Sequence, residues 1–135
     1  MDIIALSDEL DAALATITGL RTFPFYAEKV SPPAAVVNPP WTYEYDVAMG
    51  RGSDRLTIPI TVILSRTDIR TATRQLNQYI SGSGAMSVKA AVESYEYTSC
   101  DSVRVTAVDR IAYGELGGVE YIMGTFHVDV IGEGE

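Results

Sequence analysis

A single histidine, a single cysteine and one Gly/Ser stretch are the places where this sequence could do chemistry. In an extended strand His127 shares a face with Thr125 and Asp129, so a His-Asp pair for proton transfer is one reading. Alternation along an exposed sheet face is the other. No second His, and no Ser or Cys at a recognisable spacing, completes a nucleophilic constellation. A metal site needs three or four clustered ligands, and the chain has neither Cys-x-x-Cys nor His-x-x-x-His.

Ser81-Gly82-Ser83-Gly84 has the composition of a phosphate loop, but it follows a helical pattern where such a loop follows a strand, and no Gly-Lys-Ser/Thr comes after it. It reads as a flexible connector. Cys100 stands beside Asp101 with no cation in sequence to lower its pKa, so it is not expected to be a reactive thiol. The expectation is therefore a non-enzyme, with no catalytic residue, no cofactor and no metal.

Composition narrows the partners. The 135 residues are 47% hydrophobic and 21% charged, which suits one folded domain over residues 1–135. A net charge of -8 without any basic run argues against tight nucleic-acid binding. One cysteine excludes an internal disulfide framework and suits a reducing cytosol. The N-terminus is acidic where a signal peptide is basic, and no apolar run approaches bilayer length, so neither secretion by that route nor a membrane span is expected.

The elements that would position these residues follow from periodicity. Ile3, Leu6, Leu10, Ala13, Leu14 and Ile17 recur at helical spacing, with Asp8, Glu9 and Asp11 near the N-terminal half and Gly19 as the stop. Arg21 to Tyr26 can extend, and Ala34 to Val37 is fenced by Pro32-Pro33 and Pro39-Pro40. Such fences fix an extended backbone and predict a short, marginal strand that resists further pairing. Thr67 or Asp68 would cap a second helix with Ile69, Ala72, Leu76 and Ile80 as its stripe and Arg70, Arg74 and Gln78 outside. Ser87 would cap a short turn through Val92. Strands over 101–113 and 119–131 close the chain around Glu115-Leu116-Gly117-Gly118, with Ile122, Phe126, Val128 and Val130 on one face. The tail Gly132-Glu133-Gly134-Glu135 reads as frayed.

Between the first two helical patterns lies the strongest strand signal. Trp41, Tyr43, Tyr45, Val47 and Met49 alternate with Thr42, Glu44, Asp46 and Ala48, then Gly50-Arg51-Gly52-Ser53-Asp54 turns, then Leu56, Ile58, Ile60, Val62 and Leu64 alternate again. This predicts a long β-hairpin, with Pro59 marking an edge or a bulge. The fold class is α+β: a mixed, mostly antiparallel sheet with a long β-hairpin and helices packed on one face. Arg51 and Arg55 flank the hairpin tip, and Trp41, Tyr43 and Tyr45 lie toward its base. Either this is a solvated turn above core aromatics, or Trp41, Tyr43, Tyr45, Arg51, Arg55 and Pro59 form a protein interface.

Several phrases carry a family likeness across nearly the whole chain: Leu10-Asp11-Ala12-Ala13-Leu14 leading to Gly19-Leu20-Arg21, Pro32-Pro33-Ala34-Ala35-Val36-Val37, Leu56 to Leu64 ending in Ser65-Arg66, and Gly124-Thr125-Phe126-His127-Val128. With the order of elements, they resemble the tail terminator (tail completion) proteins of long-tailed bacteriophages, especially phages of actinobacteria. The resemblance implies a virion protein assembled in the host cytoplasm: a hexameric ring at the head-proximal end of the tail tube. Such a ring stops tube polymerisation and presents a surface to the neck. Its partners would be further copies of itself, the major tail tube protein and the head-neck connector proteins.

A ring that passes DNA must not bind it, which the net charge of -8 would serve, and Glu44 and Asp46 are candidate lumen carboxylates. In a ring subunit the proline fences would hold a connection beside the sheet in a fixed shape. Rival readings are another neck or head-closure component, a bacterial adaptor or secretion-tube protein, and a small-ligand-binding or enzymatic domain using His127, Asp129 and Tyr121 as a pocket wall.

Overall fold

The alternation from Leu56 to Leu64 becomes the middle of the sheet. In a computed structural model describing residues 2–24, 33–45, 52–65, 68–116 and 119–133, the order is α1 (Ile3–Leu14), β1 (Arg21–Pro24), β2 (Ala34–Val37), β3 (Thr42–Glu44), β4 (Ser53–Ser65), α2 (Ile69–Ile80), α3 (Val88–Ser94), β5 (Ser102–Leu116) and β6 (Val119–Glu133). The strands lie in the order β1-β2-β4-β6-β5, with β3 also on β4. Only β1 and β2 run parallel; the other pairs are antiparallel. This is an α+β fold with a mostly antiparallel sheet.

β4 and β6 pair along their length, from Ser53 opposite Glu133 to Ser65 opposite Tyr121. The period of two then puts Leu56, Ile58, Ile60, Val62 and Leu64 beside Val130, Val128, Phe126, Gly124 and Ile122 on one face. These side chains are buried and join Leu6, Leu10 and Leu14 of α1, Leu76 and Tyr79 of α2, and Val88 and Val92 of α3 in one core. Each fully buried aliphatic or aromatic side chain contributes about 1.5–3 kcal/mol, so this face supplies much of the driving force.

The helices are capped by short polar side chains. Asp2 accepts from the Ile4 and Ala5 N–H groups, Asp68 from Thr71 and Ser87 from Ala90. Two expected stripes shift. Ile17 lies in a turn beyond α1, which stops before Gly19 (φ +83°), yet it remains buried. In α2 the buried residues are Ala72, Leu76 and Tyr79, whereas Ile69 is 51% exposed and Ile80 half-buried. The Tyr79 ring offers more apolar area than Ile80, and placing it in the core rotates the helix away from Ile69.

The prolines correct the strand expectations. β2 is not a marginal edge: it pairs with β1 on one side and β4 on the other. Between Val37 opposite Ile60 and Thr42 opposite Thr57, five steps of chain pass three steps of β4, so two residues are extra. The Asn38 N–H donates to the Pro59 carbonyl and the Trp41 N–H to the Thr57 carbonyl, leaving Pro39 and Pro40 as the bulge. The Pro59 nitrogen faces the same way as its carbonyl, toward this bulge, where no N–H is called for. Pro59 therefore sits in a central strand opposite two other prolines, and β4 is not an edge.

The expected hairpin is described only in part. Among the described residues β3 spans Thr42–Glu44, and Ser53 and Asp54, expected in the turn, already pair with β6. Tyr26, Pro32, Asp46, Val47, Ala48, Met49, Gly50, Arg51, Arg66, Thr67, Gly117, Gly118, Gly134 and Glu135 lie outside the described residues.

Two glutamates tie helices to distant chain. Glu9 of α1 accepts from the Thr98 and Ser99 N–H groups. Glu93 of α3 accepts from the Val105 N–H, where the β5–β6 register shifts, and from Lys89, whose ammonium also reaches the Val105 carbonyl. The helix thus satisfies backbone groups that the irregular strand leaves over.

Burial pushes both carboxyls up but is outweighed. The hydrogen bonds from Ser99 and Thr98 hold Glu9 below its ordinary range, and Lys89, the Val105 N–H and the Arg104 charge do so for Glu93. A carboxyl lowered by folding stabilises the native state above its unfolded pKa, about 4.3, and loses that contribution as pH falls through the folded value. Denaturant midpoints should therefore fall on acidification below about pH 4.5. Glu93→Gln should start lower at pH 7 and fall less; an unchanged acid limb would show that the clamp carries none of it.

Candidate functional surface

The proline bulge decides where Trp41 goes. In an unbroken strand Trp41 and Tyr43 would share a face. Instead Tyr43, opposite Leu56, packs against the core and donates its hydroxyl to Asp54 at 2.8 Å. Trp41, just outside β3, meets the edge of the His127 ring on the opposite face, with centroids 4.7 Å apart and planes at 71°. The expected aromatic row is split across the sheet, because Trp41 stands in the irregular stretch between β2 and β3, outside the alternation that begins at Thr42.

A second irregularity completes the cluster. The β5–β6 register shifts between Asp109 and Ala112, and there Arg110 has φ +52°, the one positive value at a non-glycine among the described residues. Holding such a residue in the left-handed region costs about 1–2 kcal/mol. The bulge carries the Arg110 guanidinium over the Trp41 ring, 5.2 Å from its centroid. Trp41 remains 46% exposed.

His127 does not pair with Asp129. Its Nε2 lies 2.8 Å from Oδ1 of Asp109 on β5 without making a hydrogen bond, so the contact is one of charge when the imidazole is protonated. Asp129 instead accepts from the Thr57 hydroxyl at 3.1 Å. Tyr121 lies six residues from His127 along β6, about 20 Å at ~3.4 Å per residue, so it lines no common pocket with it.

Beside Trp41 a groove of about 390 Å³ is lined by Pro39, Pro40, Pro59, Thr61 and Arg110 among others, and Arg110 is the only charged one among the described residues that line it. The Asn38 amide fixes one wall, donating to the Pro59 carbonyl and the Thr61 hydroxyl. Trp41 and Pro59 of the expected interface are thus brought together. Tyr45, 76% exposed, stacks on Tyr43 at 5.0 Å instead, and Arg55 pairs with Glu44 at 3.7 Å. As a lumen group, Glu44 would share its charge with that arginine. Arg51 and Asp46 lie outside the described residues.

Arg110, Asp109 and Asn38 are the site residues that sequence reading missed. Asp109-Arg110 stands in a strand-like run with no glycine to mark a bulge. Asn38 was legible only as part of a proline-rich turn.

The remaining chemical candidates resolve simply. Ser81 to Gly84 connects α2 to α3, with Gly84 at φ +106° and the Ser87 hydroxyl donating to the Ser81 carbonyl. Among the described residues no group of His, Cys, Asp and Glu is clustered closely enough to hold a metal ion, and no helix is long and apolar enough to cross a membrane. Compared with models of known protein families and with curated proteins, the chain matches none.

Cys100 is half-buried, and its thiol is pushed up to about 11, first by burial and then by the carboxylates of Glu9 and Asp101. At neutral pH its thiolate fraction should be roughly a hundredfold or more below that of an unperturbed thiol near 8.5. Alkylation of the folded protein should be slower than that of the unfolded chain by a similar factor and should rise with pH toward 11. Equal rates in the two states would show that the thiol is not held in this environment.

Proposed function

We propose that this chain is a structural virion subunit that assembles into a ring, caps the head-proximal end of a phage tail tube, stops tube polymerisation and presents the surface to which the neck attaches. The observation that carries this reading is the Trp41–Arg110 surface. It is an exposed aromatic and a cation held on a rigid sheet by two bulges, with the side-chain types that dominate protein contacts. The sequence likeness to tail terminators supports it independently.

The architecture suits such a role. A ring joins one surface of a subunit to a different surface of the next. The two outermost strands of the sheet differ in kind: β1 is four residues ending in proline, whereas β5 is fifteen residues with two register shifts. A net charge of -8 keeps such a ring from holding the DNA that passes through it. On this reading the chain works without catalysis. Its partners are further copies of itself, the tail tube protein and the neck connectors, within virions assembled in the host cytoplasm.

Light scattering over a wide concentration range, with negative-stain imaging of the protein alone and mixed with polymerising tail tubes, tests this. The expected result is a sixfold ring with a central hole that sits at one end of the tubes and halts their growth. Tubes that lengthen unchanged and undecorated in excess protein would overturn the proposal.

A further inference from the structure

The chain's single tryptophan, its single histidine and the one non-glycine residue at positive φ among the described residues meet at one place. Glycine would occupy the Arg110 position without conformational cost, so what arginine adds there is its side chain. That guanidinium lies over Trp41 and pairs with no carboxylate among the described residues. In a protein with eighteen carboxylates against ten basic residues, it is also the only charge among the described residues that line its groove.

A guanidinium beside a tryptophan and three prolines fits a carboxylate carried on a flat apolar support. Another part of the chain offers that complement. Tyr95 and Tyr97, with rings 5.1 Å apart, border a second depression with Glu96 and Asp101 on its rim. Neither of these two carboxylates is matched by a cation among the described residues; the nearby Glu93 is already held by Lys89 and Val105.

Within one copy the two surfaces cannot meet. Tyr97 packs against the core, whereas Arg110 lies over Trp41 on the opposite face, and Asp101 and Arg110 stand about 30 Å apart along β5 at ~3.4 Å per residue. Two different, complementary surfaces on one subunit are what a head-to-tail contact requires.

We propose that copies of this chain join head to tail through the groove. The Arg110 guanidinium of one copy receives the Glu96 and Asp101 carboxylates of the next, whose Tyr95 and Tyr97 rings rest against Trp41 and the prolines. This rests on the ring reading above and names the surfaces that would form it. Arginine is then kept at a left-handed position because assembly needs it, against the preference of the isolated fold.

Sedimentation velocity over a wide concentration range tests this with four proteins: wild type, Arg110→Glu, the double variant Glu96→Arg with Asp101→Arg, and Arg110→Gly. Wild type should self-associate. Arg110→Glu has two acidic surfaces and the double variant two basic ones, so each alone should associate at least tenfold more weakly. Mixed in equal amounts they should regain association, because each groove then meets a depression of opposite charge. Arg110→Gly should melt at or above the wild-type temperature and still fail to associate, which separates loss of the contact from loss of the fold.

A wild type that stays monomeric throughout, charge reversals that associate like wild type, or a mixture that is not rescued would each overturn the proposal. Rings that cap tail tubes but ignore the charge reversals would sink this interface and leave the terminator reading standing. Rescued rings that never engage tubes would do the reverse.

Discussion

Every other element takes its position from the pairing of β4 with β6, because that ladder alone is long and regular enough to hold one apolar face in register along the sheet. A slip of one residue would move Leu56 to Leu64 and Ile122 to Val130 to the wrong face together. The register is therefore fixed by the whole core at once. β2 and β3 then find their places against one flank of β4, and β5 against the far side of β6. The helices contribute their stripes to the same core, so the hydrophobic face of the ladder joins distant parts of the chain.

Regularity on one face allows departures on the flanks. Pro39 and Pro40 add two residues to the line of β2 and β3, and Arg110 lies at the extra residue in β5. Neither change disturbs the buried rows of β4 and β6. Each re-aims one side chain: the first sends Trp41 away from Tyr43 and toward His127, and the second lays Arg110 over Trp41. Bulges that bend an outer line of a sheet commonly place a side chain in this way. The prolines give the first bulge its rigidity, since the ring of each locks φ at about −65°.

β4 was legible in the sequence, though its pairing with β6 was not, because alternating Leu, Ile and Val over nine residues, 56–64, fits few structures other than a strand with a buried face and says nothing of its partner. The caps were legible too: Asp68 and Ser87 stand just before apolar helical spacing and do accept the first N–H groups. The reading of Pro59 failed for an instructive reason. The rule that proline marks an edge concerns one missing N–H on one side of a strand, and a gap in the neighbouring strand meets that requirement in the middle of a sheet. Arg110 was illegible because a left-handed residue without glycine or asparagine leaves no mark in composition. The His127–Asp129 pairing failed because cross-strand and diagonal neighbours come from register, which a single strand does not encode.

The placement of charge follows from the same geometry. The face carrying Trp41 holds its ionic groups in local arrangements: His127 near Asp109, Thr57 on Asp129, and Arg55 with Glu44 at the end of β3. Such exposed arrangements add little stability, typically less than about 1 kcal/mol each. They engage Asp109, Asp129 and Glu44 with other groups, and among the described residues the Arg110 guanidinium pairs with no carboxylate. A cation that is conformationally costly, stacked on the chain's tryptophan and paired with no carboxylate among the described residues contributes little to its own fold. Its position is best explained by the free energy of a contact that forms only when another molecule arrives.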